Sequence, residues 1–405
     1  MNVSVFDGSG RTPVPGEVRV DGTRIAKVAR GGQRVPRAGA VVVDGRGGTL
    51  MPGMVDAHAH LTFPFGVGRP ASGFMLPPGE LAFAAANNAR LLLESGFTSA
   101  FSGGSVNAEV EVHLKREIDA GRLPGPRLRA ASFEKAATTE PGKLIEFDDD
   151  DTRPAALSEW IGEMAELGCD NIKLVLSGRS ALEPQYWDLV NYGDDSVAAA
   201  ARTAKAKGLK LACHAMTAET VKQAVRNDFD AIYHANFADA EAIDMLEEKK
   251  DRLFLAPAVG ILYADCHEGG FTPEQVRDRG SQEALDAICE TYQEIRARGI
   301  PVLPGGDYGF PHNPHGTEAR DLQHFVDLLG YTPAEVLSAA TMQGARLMGM
   351  GHELGLVREG YLADLLLVDG DPTGDIRIFQ DKKKIAVIMQ DGRLVKAGST
   401  VPVAV

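Results

Sequence analysis

Between about residues 52 and 350, short runs of β-forming residues alternate with helical segments, and this alternation constrains the fold more than any other feature. The intervening segments, such as PGELAFAAANNARLLLESG, carry Ala and Leu at helical spacing and end in Gly, a frequent helix C-cap. Regular βα alternation predicts parallel strands joined by crossover helices, so we expect an α/β protein with a (β/α)8 TIM barrel over residues 52–352. Eight β-like runs support this prediction: GMVDAHAH, FTSAFSGG, RLRAASF, DNIKLVLSG, LKLACHAM, DAIYHANF, LFLAPAV and IPVLPGGD.

The two ends of the chain have a different sequence pattern, in which short predicted strands of alternating apolar and polar residues are separated by Asp-Gly turns. The N-terminal end contains VSVFDG and GEVRVDGTRIAKVA, and the C-terminal end contains GLVREGYLADLLLVDG and KKIAVIMQDGRLVKAG. Alternation of apolar and polar residues around Asp-Gly is typical of β-hairpins. We therefore expect residues 1–51 and 353–405 to form one small β-sandwich domain, into which the barrel is inserted.

Charge and composition exclude several classes of protein. Lys and Arg number 42 and Asp and Glu number 56, a net charge of −14 that disfavours nucleic-acid binding. The chain has no apolar run long enough for a membrane span and no N-terminal signal pattern, so we expect a cytoplasmic protein without a membrane partner. Four cysteines are too few for a disulfide framework. We also expect a homo-oligomer that acts on a small molecule.

His58 and His60 end the first predicted barrel strand. Alternate residues of a strand lie on the same face, so both imidazoles can bind one metal ion. The alternative is a pair of ordinary hydrogen-bonded surface histidines. Active sites of this fold lie at the C-terminal ends of the barrel strands, and this position favours the metal site.

Lys173 lies in the otherwise apolar run Asn171–Val175 on the fourth predicted strand. A buried lysine is costly unless it is paired, neutralised or modified. The functional interpretation is a neutral amine that captures CO₂ as a carbamate, an anionic ligand with two oxygens. The alternatives are a lysine that extends to the surface or one that is paired with Asp170.

Three further residues end later predicted strands. His214 and His234 follow consecutive apolar strands, and Asp307 ends the eighth in the sequence LPGGD. Each alone has an ordinary structural explanation, as a core histidine or a turn-forming aspartate. Together with the earlier histidine pair they predict a metal centre, in which Asp307 also accepts a proton.

These residues, with the segment PGMVDAHAH, resemble the metal-dependent amidohydrolase superfamily in order and in strand position. The flanking sequences VRVDGTRIAKV and LGLVREGYLADLLLVDGDP strengthen the resemblance and extend it over nearly the whole chain. Within the superfamily the chain is similar to the imidazolonepropionase-related and Xaa-Pro dipeptidase-like branch. That branch includes hydrolases of amides, carbamates and ureas.

The resemblance implies a centre of two divalent metal ions. His58, His60 and Asp307 would bind the more buried ion, and His214 and His234 the more exposed one. A CO₂-derived carbamate on Lys173 would bridge them. Zinc is the expected metal, and cobalt, manganese and iron suit the same ligands.

The implied function is hydrolysis of an amide-type C–N bond in an amide, N-acyl amino acid, dipeptide, urea or carbamate. A metal-bridging hydroxide would be the nucleophile, and Asp307 would pass a proton to the leaving nitrogen. Residues near the strand ends are candidates for substrate binding, whereas Tyr233 is expected to face away from its neighbour His234 and to be a core aromatic residue. The candidates are Arg179, Tyr186, Tyr263, Tyr308 and His312. Apolar loop residues favour a partly apolar substrate; they are Phe63, Phe65, Phe74, Met75, Ile261 and Leu262.

Two alternatives remain open. A mononuclear deaminase of a cyclic amidine or aminated heterocycle uses the same fold, but such enzymes lack the strand-four lysine and carry His-x-x-Glu where this chain has His214-Ala-Met-Thr217. A non-catalytic scaffold protein is the more remote alternative. Metal content separates the three hypotheses, at about two, one or no ions per chain.

Overall fold

The computed structural model describes residues 1–69, 71–136, 152–178 and 188–397, and the backbone of 403–404. The middle of the chain carries parallel strands separated by helices, which confirms the predicted α/β class. Three strands form one parallel sheet, in the order Met54–Ala59, Phe97–Ser102, Arg127–Arg129. Five form a second, in the order Phe254–Ala256, Ala231–Phe237, Lys210–Thr217, Asn171–Val175, Lys135–Ala136.

The eighth predicted strand, at residues 300–307, is not a regular strand. It contributes one isolated bridge, between Val302 and Leu255, and three backbone hydrogen bonds join it to neighbouring strands, one of them from Leu303 N to the carbonyl of Leu255 at 2.8 Å. Leu255 N donates to the carbonyl of Pro301 at 3.0 Å, and Ala57 N donates to the carbonyl of Pro304 at 3.1 Å. Prolines at both positions remove backbone donors, which explains why no continuous strand forms.

Helices connect the parallel strands and pack on them. The helix Pro78–Glu94 shows how the sequence sets their bounds, because it begins with a proline in its first turn and ends just before Gly96, which has a φ of 90°. The α-helices span Pro78–Glu94, Ala108–Asp119, Pro154–Leu167, Asp194–Ala206, Ala218–Arg226, Ala240–Glu248, Val259–His267, Pro273–Asp278, Ser281–Ala297, Ala319–Asp327, Pro333–Ser338 and Gly344–Leu347. A π-helical turn spans Ala339–Gln343, and 3₁₀ turns span Ile376–Gln380 and Lys382–Lys384.

Strands from both ends of the chain form a single seven-stranded sheet. The strand Thr49–Pro52 pairs with Val3–Val5 on one side and with Leu365–Val368 on the other. The order across the sheet is Arg393–Ala397, Ile385–Gln390, Leu365–Val368, Thr49–Pro52, Val3–Val5, Val14–Asp21, Arg24–Arg30. A two-stranded sheet pairs Val42–Val43 with Val403–Ala404.

The hydrophobic core divides into separate clusters. The largest lies between the helices and the outer side of the parallel strands, and another belongs to the terminal sheet. A third unites side chains from both parallel sheets, among them Val55, Phe101, Ala212 and Tyr233. None of the described helices is long and apolar enough to cross a membrane.

Candidate metal centre

His58 is buried on the strand Met54–Ala59, and neither of its ring nitrogens has a hydrogen-bond partner among the described residues. A ligand atom of His58 lies within 4.8 Å of ligand atoms of His234 and Asp307. Burial, the largest effect, lowers the pKa of His58 well below its ordinary value, so the ring is neutral and keeps a lone pair. Buried polar atoms without partners are costly, and a divalent cation would satisfy this ring.

Two glycines allow the backbone to approach the His58 ring. A Cβ atom at Gly103 would lie 2.2 Å from Cδ2 of His58, and one at Gly305 would lie 2.7 Å from its Cβ. Neither approach is sterically possible for another residue without a shift. The backbone at Gly103 and the backbone at Gly305 therefore both pack closely against His58 and fix its position.

His60 directly follows the strand Met54–Ala59 and contacts Asp307. Its Nδ1 donates to the carbonyl of Gly104 at 2.8 Å, and its Nε2 lies 3.1 Å from Oδ1 of Asp307. Burial lowers the pKa of His60, but the hydrogen bond and the negative charge of Asp307 raise it by more, so the net effect is a raised pKa. Burial raises the pKa of the Asp307 carboxyl, but the hydrogen bond and the positive charge of His60 lower it by more, so its net pKa is lowered. Asp307 is therefore a carboxylate.

The backbone of Asp307 is held in an uncommon conformation. Its φ is 59°, in the left-handed region that a residue with a Cβ adopts only when its surroundings impose it. The buried side chain of Asn313 donates to the carbonyls of Gly306 and Asp307, both at 3.0 Å. These bonds fix the turn that directs the carboxylate toward His60.

Lys173 is buried, and its Nζ lies 3.2 Å from Oε1 of Glu134. The pairing with Asp170 that the sequence allowed does not form, because Asp170 pairs with Lys115 at 3.1 Å. Sequence reasoning missed Glu134. The signal was available, since Glu134 follows the predicted strand RLRAASF directly, at the end where site residues lie.

His214 and His234 lie side by side, with ring centroids 4.2 Å apart. Nε2 of His214 donates to the carbonyl of Gly178 at 2.9 Å, which leaves Nδ1 as the nitrogen with the lone pair in the neutral ring. Burial, the main cause, lowers the pKa of His234 to about 4. The His234 ring is therefore neutral and suits metal coordination at neutral pH, and the hydrogen bond of His214 leaves its Nδ1 as the nitrogen that can coordinate.

Tyr233 is a buried core residue, as expected, but it faces the site, whereas strand alternation had predicted that it would face away. Its ring stacks on that of His58 and lies beneath Nζ of Lys173, 4.5 Å from the ring centroid. Tyr233 shares its strand face and core cluster with Ala231, and the φ of 75° at His234 lets that next residue reach the same side. The Tyr233 hydroxyl donates to the carbonyl of Ala57 at 3.0 Å. This ring therefore forms the floor of the site.

Two of the predicted substrate-binding residues, Arg179 and Tyr186, lie outside the described residues. Tyr263 lies on the helix Val259–His267. Its ring contacts the rings of His267 and His324, with centroids 4.5 Å and 4.3 Å away. These ring contacts place it in a side-chain stack with two histidines that were not predicted to bind metal.

The remaining two candidates follow Asp307 in the chain. Tyr308 is buried, and its hydroxyl has no hydrogen-bond partner in the described part of the chain. His312 lies 2.7 Å from the carboxylate of Asp265, measured between Nε2 and Oδ1. His312 also lines a cavity beside the site.

The sequence profile of the amidohydrolase family matches residues 49–278 and 313–395. The chain belongs to the amidohydrolase family. The predicted resemblance is therefore confirmed, and the protein is a hydrolytic enzyme that acts on C–N bonds. Members of this family generally depend on metal ions, in agreement with the cluster of His58, His234 and Asp307.

Known proteins similar to this amidohydrolase cover most of its length. Ochratoxinase from Aspergillus niger is 22% identical, over 86% of this chain and 75% of its own. Imidazolonepropionase from Rubrobacter xylanophilus is 25% identical, over 95% of this chain and 92% of its own. The crystal structure of an Xaa-Pro dipeptidase with bound methionine superposes with a TM-score of 0.84 at 25% identity, over 97% and 98% of the two chains.

Proposed function

We propose that this amidohydrolase is a binuclear metal-dependent hydrolase of an amide-type C–N bond, in an amide, N-acyl amino acid, dipeptide, urea or carbamate. The observation that carries the proposal is the buried, unpartnered imidazole of His58, whose ligand atom lies within 4.8 Å of those of His234 and Asp307. The similarity to an Xaa-Pro dipeptidase supports an amide bond as the point of cleavage.

We further propose that the two parallel sheets are parts of one closed (β/α)8 barrel. Support comes from the segment that holds Pro301 and Pro304, because its carbonyls accept hydrogen bonds from Leu255 of one sheet and Ala57 of the other. The core cluster shared by both sheets is the packing expected inside such a barrel.

The proposed ligand set divides between two ions. His58, His60 and Asp307 would hold one, and His214 and His234 would hold the other. Lys173, as a carbamate, would lie between them. Such a carbamate would place a second anion beside the carboxylate of Glu134. The two anions would repel each other, so the carbamate would be stable only where bound cations offset this repulsion. Modification of Lys173 would therefore depend on metal binding.

Bound divalent ions would supply Lewis acidity, polarising the carbonyl and making water acidic enough to ionise near neutral pH. Zinc is the proposed ion. The chain itself supplies proton transfer, because the Asp307 carboxylate can accept a proton from water and deliver it to the leaving nitrogen. Its fixed backbone keeps the carboxylate in place for both steps.

The environment of Thr217 favours hydrolysis over deamination. Thr217 stands where deaminases of this fold carry a glutamate, and its hydroxyl accepts a hydrogen bond from Thr220 N as the N-cap of helix Ala218–Arg226. It is a helix cap and has no acidic group. The buried Lys173 also has no role in a mononuclear centre.

The test is the metal content and activity of purified enzyme loaded with zinc in the presence of bicarbonate. We expect about two ions per chain and hydrolysis within a panel of N-acyl amino acids, dipeptides, anilides, phenylureas and carbamates. His234→Asn should lose metal and activity, whereas the matched variant His352→Asn, at a side chain that is 75% exposed, should keep both. One ion per chain with release of ammonia from an aminated heterocycle would replace this proposal by a deaminase, and no metal would point to the scaffold.

A further inference from the structure

A cavity of about 530 Å³ lies beside the metal centre, within the size range of small-molecule pockets. Its walls are mainly aromatic and aliphatic, formed by Phe74, Ile261, Phe271 and Phe310. Its polar lining residues are Arg279, His312 and Glu268, and Glu268 is paired with Arg320. This composition suits a flat apolar group better than a hydrated or highly charged one.

Two walls of the cavity lead directly to proposed metal ligands. On one side, the ring of Phe63 stacks on His60 with centroids 4.2 Å apart, and Phe310 and Phe74 meet Phe63 edge-on with centroids 5.5 Å away. On the other side, Ile261 N donates to the carbonyl of Gly306 at 3.0 Å, one residue before Asp307. The cavity therefore lies one aromatic side chain away from His60 and close in the chain to Asp307.

The polar end of the cavity is fixed in place. The carboxylate of Asp265 is fully buried and accepts hydrogen bonds from Arg279 Nη2 at 3.2 Å and from Ser281 Oγ at 2.9 Å, and it also contacts His312. The guanidinium of Arg279 lies over the ring of Phe271, 4.5 Å from its centroid. The aromatic walls are thus preorganised, and binding requires little reordering.

We propose, on the basis of the proposed amide hydrolysis, that the substrates are amides with an aromatic ring on one side of the scissile bond, and that this ring occupies the cavity between Phe74, Phe271 and Phe310. Edge-to-face contacts with these rings stabilise an aromatic group more than an aliphatic group of similar size. We expect kcat/KM for an aromatic substrate to exceed that of its aliphatic counterpart by roughly ten-fold or more.

The experiment compares matched substrate pairs on the zinc-loaded enzyme, one pair for each side of the bond. N-benzoylalanine is compared with N-butyrylalanine, and N-acetylphenylalanine with N-acetylleucine. Phe74→Ala should reduce the ratio of aromatic to aliphatic kcat/KM about ten-fold, and Phe74→Leu should reduce that ratio less. Phe83→Ala, at a residue 77% exposed on the helix Pro78–Glu94, should leave every rate unchanged.

The outcomes separate this inference from the function on which it rests. Hydrolysis of both members of each pair at similar rates, in the parent enzyme and in Phe74→Ala alike, would overturn the aromatic class and leave amide hydrolysis standing. No hydrolysis of any amide by fully loaded enzyme would overturn both. The substrate ratio of the parent enzyme decides the question even where a variant folds poorly.

Discussion

The amine of Lys173 lies 3.2 Å from the carboxylate of Glu134, in a place where only 1% of the lysine side chain is exposed. Because the same amine lies over the ring of Tyr233, an unmodified lysine here is held by one anion and one aromatic face. The proposed conversion of the amine to a carbamate would reverse the charge at this point. The unmodified enzyme and a carbamylated, metal-loaded enzyme would then differ in the electrostatics of the whole site.

Lys173→Ala should remove most bound metal and nearly all activity, because the bridging ligand is lost. Acetate or propionate should restore part of the activity by occupying the space of the carbamate. Metal content by mass spectrometry and kcat with and without 50–200 mM acetate (about the range needed for a weak ligand) are the measurements. Lys27→Ala, at a side chain that is 56% exposed, is the control. A Lys173→Ala enzyme with full metal content and an unchanged rate would contradict the binuclear proposal.

Asp307→Asn separates proton transfer from turn formation. Asparagine adopts left-handed turns as readily as aspartate and can still offer one oxygen to a metal, but it cannot accept a proton. We expect kcat to fall by roughly 10²–10⁴-fold, the usual size of a lost general acid–base step, with a thermal midpoint close to that of the parent. A near-normal kcat in a well-folded variant would reduce Asp307 to a structural residue.

Gly103→Ala should weaken metal binding through steric contact alone. The added Cβ would lie 2.2 Å from the His58 ring, so the ring must move from its position. We expect at least a ten-fold loss of zinc affinity, as is usual when a metal ligand is misplaced. Gly162→Ala is the matched control, since its Cβ meets nothing within 4 Å on the helix Pro154–Leu167. Equal zinc affinity in both variants would show that the ring does not need this close approach.

Glu111 is a buried carboxyl behind the site, and its titration should be visible in stability. Its Oε1 accepts a hydrogen bond from Ala131 N at 2.9 Å, and burial, the largest effect, raises its pKa from 4.5 to about 7. Below pH 4.5 the folded and unfolded states both hold the proton. Between pH 4.5 and 7 the unfolded chain loses it first, so stability falls as pH rises, and the loss is complete above pH 7.

Glu111→Gln removes this dependence, because the amide has the shape of the protonated acid and no charge. The free energy of unfolding of the variant, relative to the parent, should rise by about 3 kcal/mol between pH 4.5 and 8. Urea titrations of both proteins at these two pH values measure the change. A constant difference between them would mean that Glu111 ionises normally in the folded protein.

Local patterns led to several residues that the structure brings together in the candidate metal centre. Period-two alternation placed His58 and His60 on one face, and the apolar runs before His214 and His234 located them at strand ends. Strand alternation could not place both Tyr233 and His234 in the site, because the left-handed backbone at His234 depends on distant contacts. One such contact is the hydroxyl of Tyr292, which donates to the carbonyl of His234 at 2.8 Å.

The cavity was also beyond sequence reasoning, for a related reason. Phe74 and Phe310 lie on loops far apart in the chain, and only the tertiary fold brings their rings to 5.4 Å. Composition could indicate an apolar loop, but not which rings face one another. The same limit applies to the segment at residues 300–307, where prolines suppress regular pairing that the apolar pattern had predicted.

The seven-stranded sheet has a consequence for how the chain is made. Thr49 and its hydrogen-bond partner Gly370 are 321 residues apart in sequence, so the first strands leave the ribosome long before their neighbours exist. At a synthesis rate of about 5–20 residues per second, the strand Thr49–Pro52 waits roughly 15–60 s with one edge open. During that interval the newborn N-terminus presents an unpaired strand edge to every other protein in its surroundings. Synthesis of the strand Leu365–Val368 is therefore also the step that covers the open edge of the N-terminal strands and protects it from aggregation.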